Sequence, residues 1–372
     1  MLLSMHAPSI DLFEWLLQNA PKASYNLAFS NITGLSFEEY QKETGFSLPR
    51  NFDLGVNAQY GAEELKDVLS SMYHCTKENI VTTTGASEAN YLVFSCLLNP
   101  GDDFIIEQPG YQPLWLTPEM LGAHRINWPR KFNNKFRIDV DGLENLITKK
   151  TKVIVITNLH NPSGVFSDQK TIEHVAEIAE AHGAYVLIDE IFLDGSFTPH
   201  PSSFGIPNVI VSSSITKIYG LGGLHTGWLL APKELAVHCQ KTKAHTTGAS
   251  SYLSEIMSAC VLRSARDVLI ERFKKRAESN FEILKKWMSQ HHDLIEWIEP
   301  DGGIVCFPKY SIDIPSITLC KHLLKTQKIL LNPGTYFNQE GHIRLSYGCA
   351  YKYLKDALEV LDNGLIQLKS SE

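Results

Sequence analysis

The sequence predicts an α/β protein, with a large domain on a mainly parallel sheet flanked by helices and a smaller α+β domain beside it. Three observations predict this. From about residue 80, short apolar or β-branched runs alternate with stretches of helical period. Phe104–Ile106 and Lys152–Thr157 are near-continuously apolar, as in parallel strands covered on both faces. Near residue 265 the alternation stops, and a long amphipathic stretch leads into a mixed pattern.

The elements follow in order. Ile80–Thr84 is short and β-branched, a strand, and Ala86–Leu98 reads as a helix closed by Asn99-Pro-Gly101. After the two apolar strands, Thr171–His182 places Ile172, Val175, Ile178 and Ala179 on one helical face, with Gly183 where a helix-ending glycine belongs. Tyr185–Ile188 and Val209–Val211 are further strands. Asp267–Met288 is one long helix, expected to bury Val268, Ile270, Phe273, Ala277, Phe281, Leu284 and Met288. Strand-like Ile304–Phe307 and Ile343–Ser346 come after it, separated by helical segments. The expected division is a large domain over 41–266 and a small one made of 1–40 and 267–372.

At 372 residues and 44% hydrophobic, the chain can bury a large core. A formal net charge of -7 and short basic clusters mixed with carboxylates give no footprint for nucleic acid. Seven cysteines stand without CxxC spacing, as in a reducing compartment. His74-Cys75 and His291-His292 lack further ligands at a useful spacing, so no metal is expected. Met1–Ile10 has no basic start before an apolar core, and no run approaches the roughly 18 apolar residues of a membrane span. A cytoplasmic, soluble protein is expected, and the Asn31-Ile-Thr33 sequon carries no meaning there.

Five sites carry chemistry. Lys217 follows an apolar strand and hydroxyl residues, and precedes a glycine-rich turn. A lysine desolvated by such neighbours has a lowered pKa and can form a Schiff base; the alternative is a lysine snorkelling from a strand end. Gly85-Ala-Ser87, between a strand and a helix start, is either a phosphate cradle or a tightly packed turn. Asn161-Pro-Ser-Gly164 is either a capping turn or presents an amide donor at a strand end. Asp189-Glu190 ends a buried strand, where α/β proteins place ligands; Asp189 suits a helix cap, a metal or a cationic ring nitrogen, and no His or Cys supports the metal. Arg344, between apolar residues of a strand, suits bidentate binding of a carboxylate or an internal salt bridge.

In this order the sites resemble the fold-type I pyridoxal-phosphate enzymes, specifically the class I/II aminotransferase family, from about Tyr60 to Tyr347. The Lys217 segment looks like the family's Ser-x-Ser-Lys-x-x-Gly-x-x-Gly-x-Arg-x-Gly stretch. The resemblance implies pyridoxal 5'-phosphate as cofactor, α-amino acids and 2-oxo acids as substrates, and Lys217 as the Schiff-base lysine that also moves the substrate's α-proton. Asp189 matches the aspartate that keeps the pyridine nitrogen protonated, and Asn161 the asparagine on the ring's phenolic oxygen, beside the substrate. Gly85, Ala86, Ser87 and Ser214 match phosphate-binding positions, and Tyr111 the aromatic stacked on the ring. Tyr60, in Gln59-Tyr-Gly61, is similar to the tyrosine that reaches the phosphate of the neighbouring subunit, which implies a homodimer with shared sites. Arg344 matches the arginine that holds the substrate's α-carboxylate.

Two positions depart from the family pattern. Phe192 replaces a tyrosine that donates to the phenolic oxygen, and losing that donor should raise the pKa of the Schiff-base nitrogen. His225 replaces a phosphate-binding arginine; histidine offers two donors at most and is a cation only when protonated. The stretch Tyr25 to Gly34 also differs from the family's glycine-proline loop, which borders the substrate side chain, so specificity does not transfer. A C–S β-lyase, or decarboxylating or cyclising chemistry on the same scaffold, stands beside transamination. A nicotinamide-dependent oxidoreductase fails on spacing, since Gly220-Leu-Gly-Gly-Leu-His225 has histidine where the third glycine belongs. A regulator built on this fold would need a basic DNA-binding domain that the chain does not show.

Overall fold

The computed structural model describes residues 7–369, so the first six residues of the Met1–Ile10 stretch lie outside the described residues. The chain opens with α1 (Asp11–Asn19), β1 (Tyr25–Asn26), α2 (Phe37–Thr44) and α3 (Glu63–Met72). Strands and helices then alternate through β2 (Ile80–Thr84), α4 (Gly85–Leu97), β3 (Asp103–Gln108), α5 (Pro113–Met120), β4 (His124–Pro129) and α6 (Val140–Glu144). The pattern continues with β5 (Thr151–Thr157), α7 (Gln169–Ala181), β6 (Tyr185–Asp189), β7 (Val209–Ser214) and β8 (Thr226–Leu230). Helices α8 (Lys233–Lys243), α9 (Tyr252–Ser264) and α10 (Arg266–Gln290) lead to the short strands β9 (Ile295–Glu296), β10 (Val305–Cys306) and β11 (Lys309–Tyr310). The chain continues through α11 (Ser316–Gln327), β12 (Ile329–Leu330), β13 (Asn332–Pro333), β14 (Ile343–Ser346) and α12 (Tyr351–Lys369).

One seven-stranded sheet, in the order β2-β8-β7-β6-β5-β3-β4, forms the centre. Only β8 runs against its neighbours, and every other pair is parallel. The α/β class with a mainly parallel sheet therefore stands. β7 is buried along its whole length, and β5 and β6 at all but one residue each, which explains their continuous apolar runs. The carboxyl ends of β2, β5, β6 and β7 share one edge, and they carry Thr84, Thr157, Asp189 and Ser214. That edge is where open parallel sheets receive ligands.

The strands of the last third form small sheets, β10-β14-β13 and β11-β9. β1 pairs in parallel with β12, Tyr25 opposite Ile329, and this ties the N-terminal segment to the C-terminal third. Helix α7 starts two residues before its expected position, because the Asp168 side chain accepts the Thr171 amide hydrogen at 2.8 Å. It ends beside Gly183, whose φ of +68° only glycine adopts without strain.

The expected face of α10 needs correction. Its buried seam runs Leu269, Phe273, Ala277, Asn280, Leu284, Trp287 and Met288, while Val268 is 51% exposed and Ile270 and Phe281 are half-buried. Val268 sits one residue out of phase, about 100° around the helix. The polar Asn280 conceals the true seam in sequence; its amide donates to the carbonyls of Tyr347 at 2.6 Å and Cys349 at 2.8 Å. Among the described residues, no helix is long and apolar enough to cross a membrane.

Candidate active site

The site forms where α4 begins directly after β2. Gly85 has φ +73°, and a Cβ there would stand 2.9 Å from the His225 ring. A Cβ on Gly227 would come within 2.4 Å of the Gly85 carbonyl carbon. The sequence thus keeps both positions bare, so the first amides of a 13-residue helix open into the cavity beside His225. Glu88, in that first turn, is already engaged by the Thr84 amide at 2.6 Å and by the Thr246 and Thr247 hydroxyls.

Asp189 ends β6 in the buried middle of the sheet. Its Oδ2 accepts from the Asn90 side chain at 3.0 Å and its Oδ1 from the Ile191 amide at 3.1 Å. Burial raises its pKa, and the Asn90 and Ile191 hydrogen bonds and the Lys217 charge oppose that rise. Lys217, just past β7, is lowered to about 8 by burial and by the Arg344 charge, with Asp189 acting in the opposite direction. Its Nζ donates to Asn31 Oδ1 at 2.7 Å and to Ser30 Oγ at 3.4 Å.

Arg344, in β14, is 2% exposed. One guanidinium nitrogen donates to Asn161 Oδ1 and another to the Ala28 carbonyl, both at 3.0 Å, and the group lies 4.8 Å from the Phe337 ring centroid. Its Nε has no partner, and among the described residues no carboxylate pairs with it. Burial pushes its pKa down to about 10, against the opposing influence of Tyr111. Asn161 is fixed in turn by its backbone N–H, which donates to Thr157 Oγ1 at 2.8 Å.

These side chains surround one cavity of about 610 Å³, within the range of small-molecule sites. Of the candidate residues, all but Ser214 and Tyr60 line it, and Phe192 lines it as well. Ser214 stands behind the lining. Its Oγ accepts from the Thr216 amide at 3.2 Å and pairs with the Thr216 hydroxyl at 2.7 Å, and Thr216 faces the cavity instead. Tyr60 lies outside, 62% exposed. Sequence reasoning missed Asn90, Ser30, Asn31 and Thr216. Only the last, one residue before Lys217, carried a local signal.

The residues present fit pyridoxal phosphate. The bare helix start beside His225 suits a phosphate, and Lys217 suits a carbonyl carbon. The amide hydrogens of Asn161 suit a ring oxygen, since its Oδ1 is already taken by Arg344. Asp189 is a buried acceptor for a ring N–H. The unpaired Nε of Arg344 leaves a cation for a further anion beside them.

Comparison with known proteins gives the same reading. The capreomycidine synthase of Streptomyces vinaceus is 27% identical over 367 residues, covering 96% of this chain and 94% of that protein. The aspartate aminotransferase of Thermotoga maritima is 25% identical, covering 84% of this chain and 80% of that one. The crystal structure of a PLP-dependent aminotransferase from Streptococcus suis superposes with a TM-score of 0.91 at 30% identity, covering 97% of this chain and 98% of that one. The family model for aminotransferase class I and II matches residues 54–361, and the chain belongs to that family.

Proposed function

We propose that this chain, a pyridoxal-phosphate-dependent enzyme of the class I and II aminotransferase type, moves an amino group between an α-amino acid and a 2-oxo acid. Arg344 carries the reading: a buried guanidinium without a carboxylate partner among the described residues, lining the same cavity as Lys217. Such a cation suits the carboxylate common to both substrates.

When bound, pyridoxal phosphate supplies a carbonyl that condenses with amines and a ring that draws electrons from an amino acid's α-carbon. Gly85, Ala86, Ser87 and His225 would hold its phosphate, Asn161 its ring oxygen, Asp189 the proton on its ring nitrogen and Tyr111 one ring face; Ser214, behind the lining, is left without that role. Lys217, with a pKa near 8, serves as the nucleophilic amine and then as the base that takes the α-proton and returns it. Arg344 lowers the Lys217 pKa, so a carboxylate bound to Arg344 cancels that effect and makes Lys217 more basic when a base is needed. Ser30 and Asn31 receive the lysine's N–H groups and keep it within the cavity.

In the same reading, 41–266 forms the cofactor-binding domain, and 1–40 with 267–372 the smaller one that contributes Arg344, Ser30 and Asn31. The pairing of β1 with β12 supports that division. The working form is a cytoplasmic homodimer in which exposed Tyr60 reaches the neighbouring subunit's phosphate. Exposed Leu54 and Val56 near Tyr60 in sequence support a covered surface there.

A second reading is cyclising or C–S β-eliminating chemistry with the same residues. The cyclising form is favoured by the similarity to a capreomycidine synthase over nearly the whole chain. Product analysis of the purified holoenzyme separates them. A 2-oxo acid with aminated cofactor supports transamination. Ammonia, pyruvate and a thiol support the lyase, and a cyclic amino acid supports the cyclase. Absence of half-transamination with every amino acid tried would sink the first reading.

A further inference from the structure

We propose that Asn90 is a positioning residue, which with Ser212 aims the Asp189 carboxylate into the cavity and keeps it an acceptor; this rests on the role of Asp189 given above. Asn90 is the one polar side chain among the buried residues of α4, between Ala86, Ala89, Leu92, Val93 and Phe94. An apolar residue would fill that place equally well, and burying an amide is costly unless it is bonded. Both ends of this one are. Ser212 Oγ donates to Asn90 Oδ1 at 2.6 Å, and Asn90 Nδ2 donates to Asp189 Oδ2 at 3.0 Å. Asp189 and Ser212 stand opposite each other on the paired strands β6 and β7, so the side chain from α4 bridges the two. All three are at most 5% exposed, in the interior of one chain.

The terminal torsion of an aspartate is broad, so bonds to its oxygens decide where the carboxylate points. The Ile191 backbone N–H takes Oδ1 from within the same turn, at 3.1 Å. Asn90 takes Oδ2 from a different element and so fixes the plane. Its N–H2 end faces Asp189 because Ser212 occupies the oxygen end, and a donor there favours the charged carboxylate over the protonated one. Burial raises the Asp189 pKa, and the bond from Asn90 is the largest influence against that rise. α4 thus acts on the cavity twice, through its bare first turn at Gly85 and Ala86 and through Asn90 about one turn farther along. A residue that only pinned α4 to the sheet would add stability. One that positions Asp189 also decides where the proton between Asp189 and a ring nitrogen rests.

The test is the nitrogen-15 chemical shift of holoenzyme carrying pyridoxal phosphate labelled at the ring nitrogen, read beside unfolding stability. That shift distinguishes a protonated from a bare ring nitrogen. Asn90→Leu is close in volume and removes the donor. The shared proton should then move from the ring nitrogen towards Asp189, with no change in net charge. The balance should shift about 10- to 100-fold, the worth of a hydrogen bond to a charged group, and the signal should move towards its unprotonated position. Ser212→Ala keeps the amide but frees its oxygen end, and should move the signal the same way by less. Asp189→Asn is the reference for a lost carboxylate. A signal that stays in place in Asn90→Leu, or in Ser212→Ala if Asn90→Leu does not fold, while Asp189→Asn moves it, overturns the inference and leaves the transferase reading intact. Lost stability with an unmoved signal does the same, and makes Asn90 a packing residue. If Asp189→Asn leaves the signal unmoved as well, the assignment of Asp189 falls with the inference.

Discussion

Two buried charged groups meet the carboxyl end of β5 from different sheets and are treated in opposite ways. Arg130 and Glu107 form a closed pair. One guanidinium nitrogen meets Glu107 Oε2 at 2.7 Å, a second donates to Ser167, and Nε donates to the Phe136 carbonyl. The other Glu107 oxygen accepts the Thr157 amide at 2.7 Å and the Thr157 hydroxyl. Arg344 is buried as deeply but has two neutral acceptors and a free Nε. The first group is complete within the fold; the second is complete only with a ligand. Thr157 joins them, since its hydroxyl oxygen also receives the Asn161 amide. The closed pair therefore braces the strand end from which the open site is displayed.

Substitution should separate the two most sharply. Arg130→Met leaves Glu107 buried without its counter-charge and should cost about 3–5 kcal/mol of stability in denaturant unfolding at neutral pH. The Glu107 pKa is already raised by burial, so this deficit should shrink as the pH falls and the carboxylate takes up a proton. Glu107→Leu combined with Arg130→Met should recover much of the loss. An Arg130→Met protein as stable as the original would remove the distinction between the two clusters.

Arg344→Leu should leave unfolding stability unchanged or higher, because it deletes a desolvated charge with no ion-pair partner. Amino-acid binding should nevertheless weaken about 10- to 100-fold, from loss of a charged hydrogen bond worth roughly 1.5–3 kcal/mol. Cofactor binding should be spared. A destabilised variant with unaltered substrate binding would place Arg344 in the structural class.

The pH dependence of cofactor capture by the apoenzyme sharpens the comparison further. The rate should rise through an apparent pKa near 8 as Lys217 becomes neutral. Arg344→Leu removes a like charge and should move this midpoint up, while Asp189→Asn removes an opposite charge and should move it down. Midpoints that move together would show that the charges do not act on Lys217 independently. The smallest effect is expected from Asn31→Ala, which takes away an acceptor of the ammonium and should lower the midpoint slightly without changing stability.

The closed half of the molecule was the more legible in sequence. Parallel strands buried on both faces must be apolar throughout, so β5, β6 and β7 could be located within a residue or a few. Lys217, Asp189 and Arg344 stood out because a charge at the end of, or within, such a run has few structural uses. The supporting residues gave no such signal. Asn90 meets Asp189 across 99 positions and Asn31 meets Lys217 across 186, distances over which no periodicity operates. The phase of α10 was missed for a related reason, since Asn280 belongs to the buried seam only because two distant carbonyls await its amide.

The family pattern begins at residue 54, whereas Leu12, Phe13, Leu16, Leu17, Phe29, Ser30 and Asn31 all precede it. Part of the cavity wall is thus written outside the stretch that carries the family pattern. For an engineer, this segment is no detachable leader: Leu12, Trp15, Leu27 and Ala28 are buried in the core and the Trp15 indole donates to the Leu331 carbonyl at 2.9 Å, so cutting into it would cost stability as well as cavity wall.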